Sequence, residues 1–236
     1  VSQYVIRVVD FETTGMEPPA EVVEVGFCDL TRQGDGFWTV GEPQSRLCSV
    51  AAIPPEVRAV HHISLAETEG CEPFDAARFV EDSDHCAALA AHNMDFENRW
   101  LRTDGVMPLI CTLKAALRVW PEAPAHNNGT LRYWLEDQGL LQGIDPAACQ
   151  PAHRAGPDAY VTAWILRELL GRCTGKEMVA WTREPRLLPT CPIGKERGKK
   201  WADVDAGFLS WMTAQATMEA DLKWNAQREL DRRRGA

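Results

Sequence analysis

Carboxylates and histidines gather at three places along this 236-residue chain: D-F-E-T-T-G from Asp10, H-N-M-D-F-E from His92, and H-R-A-G-P-D from His153. Hydrolysing a phosphodiester with two divalent cations takes several carboxylates converging on one spot, and a base that deprotonates water. The three clusters supply those groups within a stretch long enough for one domain.

Each cluster carries its own geometric argument. Residues two apart on a strand point to the same side, so Asp10 and Glu12 can face one site. Thr13-Thr14-Gly15 then turns the chain away, with Gly15 permitting a close backbone approach. In the second cluster, His92-Asn93 ends a strand and Asn93 reads as a helix N-cap. Asp95 and Glu97 follow at about 200° to one another on a helix, so one is the ligand candidate and the other is solvated. In the third, Pro157 opens a helix and holds Asp158 in its first turn. His153 stays on the preceding loop, where an imidazole titrating near neutral pH suits proton abstraction. Ligation by carboxylates without cysteine favours Mg²⁺ or Mn²⁺, two ions per site, over zinc.

The elements that must position these groups are legible in the pattern. Val5 to Val9 is a β-branched, nearly all-apolar run, the mark of a strand buried on both faces. Further strands are expected over Glu21–Leu30, Gly36–Val40 and Arg46–Val50, together a β-meander, and over Cys86–Ala91 before the second cluster. A short helix follows Pro54-Pro55. Helices are then expected over Met94–Arg102, Leu113–Val119, Thr130–Gln138 and Asp158–Leu170, with Gly139 and Gly171 as C-terminal caps. This order implies an α/β fold, a mixed sheet with helices on its faces. Pro185, Pro189 and Pro192 mark a linker over 182–192. It separates a domain of residues 1–181 from an appendage of residues 193–236 that ends in a helix reaching Arg234.

Composition narrows the class. Apolar residues make up 45% of the chain, enough for a substantial core. No apolar run is long enough to span a membrane, and the N-terminal VSQYVIRVVDFE lacks a secretory pattern and reads directly as a strand. The chain is expected to begin at or near the natural start. The eight cysteines include no C-x-x-C pair, which argues against a zinc finger, and they read as reduced, buried thiols of a cytoplasmic protein. A net charge of −9 argues against coating nucleic acid by bulk electrostatics. The charge is uneven: residues 193–236 hold nine Lys/Arg against seven Asp/Glu, or +2, leaving −11 for the rest. Contact with nucleic acid is therefore expected to be local.

The three clusters, taken in order, resemble the motifs of the DEDDh (DnaQ-like) 3′–5′ exonuclease superfamily, and nearly the whole chain resembles its bacterial exonuclease X branch. A-V-H-H-I-S at Ala59–Ser64 is similar to that family's loop beside the active site. I-C-T-L-K-A-A-L-R-V-W-P from Ile110 is similar to its segment after the second motif, and I-G-K-E-R-G-K-K-W-A-D-V to its appendage. The resemblance implies an RNase H-like exonuclease fold. It implies that Asp10 bridges both metals, that Glu12 and Asp158 hold the inner one, and that His153 activates the attacking water. A second-motif carboxylate would hold the outer metal. The family pattern H-N-x-x-F-D places Glu97, not an aspartate, at that position, with Asp95 as the reserve.

The expected activity is removal of nucleoside 5′-monophosphates from 3′ ends, with DNA favoured over RNA. An exoribonuclease or oligoribonuclease is the alternative within the enzyme class. A non-catalytic nucleic-acid-binding protein, supported only by the glutamate at position 97, is the alternative outside it. Candidate nucleic-acid contacts are Thr13, Thr14, Gly15, His61, Asn93, Arg154, Lys195, Lys199 and Trp201. The last three belong to a basic-aromatic cluster with Arg197 and Lys200 that suits single-strand contact. Arg99, Arg102, Lys114 and Arg118 are further cations near the motifs. Trp211 and Trp224 are expected in the core, and Arg232–Arg234 at a frayed end.

Overall fold

The computed structural model describes residues 4–103 and 105–235; the expected outer domain limits at residues 1 and 236 lie outside them. Six strands form one sheet: β1 (Tyr4–Thr13), β2 (Val22–Arg32), β3 (Trp38–Val40), β4 (Gln44–Leu47), β5 (Ala88–Ala91) and β6 (Leu109–Cys111). The helices are α1 (Pro55–His61), α2 (Ala76–Glu81), α3 (Met94–Leu101), α4 (Thr112–Val119), α5 (Asn128–Asp137), α6 (Ala155–Leu170), α7 (Gly175–Thr182), α8 (Ala206–Ala214) and α9 (Ala220–Arg234). The sheet order is β3-β2-β1-β5-β6, with β4 also paired to β2. β1 runs antiparallel to β2 and parallel to β5, and β5 runs parallel to β6. The sheet is mixed, as expected.

β3 and β4 do not continue a meander. Both pair with β2, β3 at Leu30–Arg32 and β4 at Glu24–Phe27, so the long second strand carries two short partners on one edge. β6, α2 and α7 were not expected, and α6 begins at Ala155 instead of Asp158.

Alternation along β1 divides the core. Ile6 and Val8 pack with α4, α5 and α6 on one face, around Leu131, Ala159 and Leu166. Val9 and Phe11 pack on the other face with Phe79 of α2 and Met94 and Trp100 of α3. Asp10 and Glu12 continue the even-numbered series, so the fold presents them to the α6 side. A third cluster gathers Cys191, Trp201, Leu209, Met212, Leu222 and Ala226, with Leu188 packed against it. The stretch read as a linker thus contributes to the core of the C-terminal segment. All eight cysteines are free thiols, six of them buried. No helix among the described residues is long and apolar enough to cross a membrane.

Candidate active site

Two glycines let α6 come down onto the end of β1. Gly26 of β2 stands opposite Asp10. A Cβ there would lie 2.0 Å from the Ala155 carbonyl carbon, and one on Gly156 would lie 2.3 Å from Ser45 Oγ. Only bare backbone permits this approach. Glu24, buried at 1% exposure and paired across the sheet with Glu12, fixes the contact. Its two oxygens accept hydrogen bonds from Arg154 Nε and Nη2 at 2.9 and 2.8 Å, and one also accepts from the Ala155 N–H at 3.0 Å. The helix therefore starts immediately after Arg154, and Pro157 falls in its third position, where a missing N–H costs no intrahelical bond. Glu24 was not singled out from the sequence. The signals were an acid and a glycine inside the otherwise apolar V-V-E-V-G-F strand.

With α6 seated, Asp10, Glu12 and Asp158 bring one carboxylate oxygen each within 4.8 Å of one another. Burial, then the charge of Asp158, pushes the Asp10 carboxyl well above its ordinary range, and Glu97, Glu12 and Glu24 add to the effect. Burial and the charge of Asp158 push Glu12 up to about 8, against a smaller opposing pull from Arg154. Asp158 is also raised, mainly by burial. None of the three is ion-paired among the described residues.

α3 presents its two acids very differently. Glu97 is 3% exposed, its Oε2 is buried without a hydrogen-bond partner, and burial pushes it up to about 8. It lies outside the 4.8 Å triad, but Asp10 feels its charge and it feels that of Glu12. Asp95 is exposed and paired with the buried Lys114 ammonium at 2.8 Å. The same ammonium donates to the Thr182 carbonyl at 2.8 Å. Asn93 stands at the N-cap position in a left-handed conformation (φ 85°) and is exposed, but its side chain makes no cap hydrogen bond. His92 is structural in its contacts: its nitrogens bond Thr112 Oγ1 at 3.0 Å and the His126 carbonyl at 2.7 Å, and burial pushes it down to about 4.

His153 is exposed, with a left-handed backbone (φ 58°). Its N–H donates to Asp158 Oδ2 at 3.1 Å. The loop is thereby tied to the triad, while the ring makes no hydrogen bond within the described chain. His61 is buried; its Nδ1 accepts the Ile63 N–H at 3.0 Å, its Nε2 has no partner, and burial lowers its pKa. Thr13 is buried and donates to the Gly15 carbonyl at 2.7 Å, while Thr14 Oγ1 accepts the Glu21 N–H at 2.9 Å. Both threonines shape the turn after β1.

The cations near the motifs are mostly engaged. Arg154 is held by Glu24, Arg118 by Glu184 at 2.7 Å, and Arg99 lies 3.6 Å from Glu17 and bonds the Met16 carbonyl. Arg102 is exposed at the end of α3. Two tryptophan expectations are corrected. Trp201 is 9% exposed, packed in the third cluster, with its indole N–H donated to the Leu188 carbonyl at 2.8 Å, so its ring offers no free face. Trp211 is 48% exposed and not a core residue; Trp224 is half-buried beneath Arg228. Lys195 and Lys199 are exposed, Lys199 bonded to Glu196 at 2.7 Å. Neither lies in the carboxylate cluster. Arg232 and Arg233 both pair with Glu229, and Arg233 also donates to the Trp201, Ala202 and Val204 carbonyls, which ties the C-terminal helix down there.

The donor set fits hard divalent cations. It is all oxygen, half-buried to buried, mutually repelling, and leaves the Glu97 Oε2 without a partner. No protein-family model matches the sequence. Exodeoxyribonuclease 10 of Escherichia coli (strain K12) is 30% identical over 217 residues, covering 88% of this chain and 90% of that protein. Among solved structures, exonuclease X in complex with 5′ overhanging duplex DNA matches with a TM-score of 0.58 and 26% identity, over 75% of this chain and 99% of that one. E. coli exonuclease I with single-stranded DNA, in a zinc-bound form, shares the fold with a TM-score of 0.52 and 17% identity, over 72% of this chain and 41% of that one.

Proposed function

We propose that this chain, which belongs to the DnaQ-like exonucleases together with exonuclease X, is a divalent-metal-dependent nuclease that removes nucleotides from the 3′ ends of DNA. The observation that carries the reading is the gathering of four carboxylates, Asp10, Glu12, Glu97 and Asp158, with no ion-pair partner among the described residues. The other buried acids, Glu24, Glu196 and Glu229, are matched by cations. These four are not.

Asp10, Glu12 and Asp158 would hold the cations from the β1 and α6 side. Glu97 closes the α3 side, where its longer side chain replaces the aspartate of the family pattern. Asp95, occupied by Lys114, takes no part. When bound, the cations stabilise negative charge on the attacking and departing oxygens of an in-line displacement. His153 Nδ1 or Nε2 takes the proton from the attacking water, and the free ring on a tethered loop supports that role. The new P–O bond forms as the bond from phosphorus to the 3′-oxygen breaks. The 3′-oxygen leaves on the shortened strand and takes a proton from solvent, so the product is a nucleoside 5′-monophosphate. Thr13, Thr14 and Gly15 shape the floor, and His61 sits near the Glu24–Arg154 pair at the end of α1.

The DNA preference is supported by the DNA exonucleases this chain is similar to. The buried, unpartnered Glu97 weighs against a non-catalytic reading, since a carboxylate retired from ligation has no reason to stay desolvated beside three others. The test is a parallel assay on matched 5′-labelled single-stranded DNA, duplex DNA and RNA, with Mg²⁺, Mn²⁺ or EDTA. Stepwise shortening from the 3′ end of DNA, abolished by EDTA, is expected. Full activity in EDTA, or faster cutting of RNA, would overturn the mechanism or the substrate assignment respectively.

A further inference from the structure

We infer that the exposed Trp211 of α8, backed by the half-buried Phe208 and with the basic turn beside it, is a stacking platform for single-stranded nucleic acid. The inference rests on the nuclease reading for its ligand, and on the C-terminal segment alone for its geometry. The two rings lie one helical turn apart with centroids 5.2 Å from each other and planes at 34°. Trp211 leaves nearly half its surface in water at 48% exposure, in a segment whose other large apolar groups are mostly packed. Such a ring on a small, fully cored unit is not needed for folding.

The basic turn abuts this pair. Residues 194–200 leave the chain and return to it, closed by the Thr190↔Lys200 bridge and by the Cys191 N–H on the Lys199 carbonyl at 2.9 Å. Gly194, at φ 59°, presses on the Phe208 ring: a Cβ there would sit 3.0 Å from it. The turn can therefore pack only with glycine at this position, and the exposed Lys195 follows it in the chain. Of the turn's exposed cations only Lys199 has an acid partner, Glu196. Lys195, Arg197 and Lys200 have none within ion-pair distance among the described residues, and nearby Asp205 is occupied capping α8 through the Phe208 N–H at 3.0 Å.

Charge complementarity selects the occupant. A segment of +2 on a body of −11 repels acidic protein surfaces less than the body does and attracts phosphates. A flat exposed indole beside uncompensated cations matches the base faces and phosphates of a single strand. The segment is also anchored to the stretch that precedes it. Arg186 binds Asp221 and Glu219 of the α9 start and feels the charge of Asp95 on α3.

Binding of a labelled thirty-nucleotide oligothymidylate to the full chain in EDTA, read by fluorescence anisotropy, tests this without any cleavage. Trp211→Ala is expected to weaken binding by about tenfold, within the range of one lost base stack, and Trp211→Phe to keep most of the affinity. Phe37→Ala, the loss of a still more exposed aromatic ring at the β2–β3 turn (75% exposed), should leave binding unchanged. Replacing Lys195, Arg197 and Lys200 by Ala should flatten the salt dependence of log K by about 2, from about 0.7 per phosphate contact. Wild-type binding by Trp211→Ala would overturn the proposal, as would a change only in sedimentation, which would make this face a contact between copies of the chain. A protein that cuts no DNA but loses oligothymidylate through Trp211→Ala would refute the nuclease reading and leave this one standing.

Discussion

Buried acids occur in two regions of this molecule, and they behave in opposite ways. In the C-terminal segment Glu229 is buried and its carboxyl is pushed down to about 2 by hydrogen bonds from Arg232 and Arg233, which outweigh the opposing effect of burial. Glu196 is likewise lowered by Lys199. At the end of β1 and on α3, Glu12 and Glu97 are pushed up to about 8, because burial is met by other carboxylates instead of cations. Burial alone therefore does not mark a site. Burial without a partner does, since a desolvated charge persists only where something outside the chain compensates it.

The contrast can be broken most severely at its centre. Asp10→Asn should lower nuclease activity at least about ten-thousandfold, roughly 5.4 kcal/mol, in an assay with saturating Mn²⁺, while circular dichroism stays native. His153→Ala should cost about a thousandfold, within the range for a lost general base. Because its exposed ring makes no hydrogen bond among the described residues, the same protein should unfold at an unchanged temperature. A large fall in that temperature would make His153 structural.

The α3 acids sharpen the comparison within one helix. Glu97→Gln should lower the rate about a hundredfold, roughly 2.7 kcal/mol, whereas Asp95→Asn should stay within a few-fold of wild type. Reversal of that order in steady-state kinetics would move the ligand to Asp95. Glu24 tests the paired kind of acid inside the site itself. Glu24→Ala strands Arg154 and should cost about 3 kcal/mol in denaturant unfolding, with a smaller loss of activity than any ligand change.

The smallest effect is a pH dependence with opposite signs in the two regions. Glu12 and Glu97 bind protons more tightly folded than unfolded, having risen from about 4.5 to about 8. Their contribution to stability is complete below about 4.5 and is lost as pH rises through about 8. Glu229, lowered to about 2, contributes above about 4.5 and loses that contribution as pH falls through about 2. The melting temperature of the metal-stripped protein should therefore decline from pH 5 toward pH 8.5, and Mg²⁺ or Mn²⁺ should remove the decline. A flat profile without metal would contradict the burial of these acids.

How much of this was readable from the residues depended on how local the signal was. Asp10 and Glu12 needed only the two-residue period of a strand, and the apolar run before them made that strand unmistakable. Glu97 needed the spacing from Phe96, and its burial agrees with that register. Glu24 was missed because an acid in a valine-rich strand reads as ordinary alternation. Its meaning depends on Arg154, which arrives from 130 residues away. The glycine two residues later was the available clue, since glycine inside a strand marks a close backbone approach. The start of α6 was misplaced for the same reason: Pro157 looked like a first helical residue, while the true start is set by Glu24 and Gly26 across the sheet. Trp201 and Trp211 exchanged expected places because G-F-L-S-W-M is apolar at nearly every position, so its sequence does not say which face is buried. β6, with three residues, carries too little pattern to stand out.

The central claim is that the unpaired carboxylates hold divalent cations, and calorimetric titration of Mn²⁺ into metal-stripped protein near pH 7.5 tests it most directly. The account predicts saturable binding of two ions per chain, lost in Asp10→Asn and weakened in Glu97→Gln but not in Asp95→Asn. Absence of binding to the wild-type chain, or binding unaltered by Asp10→Asn, would contradict it.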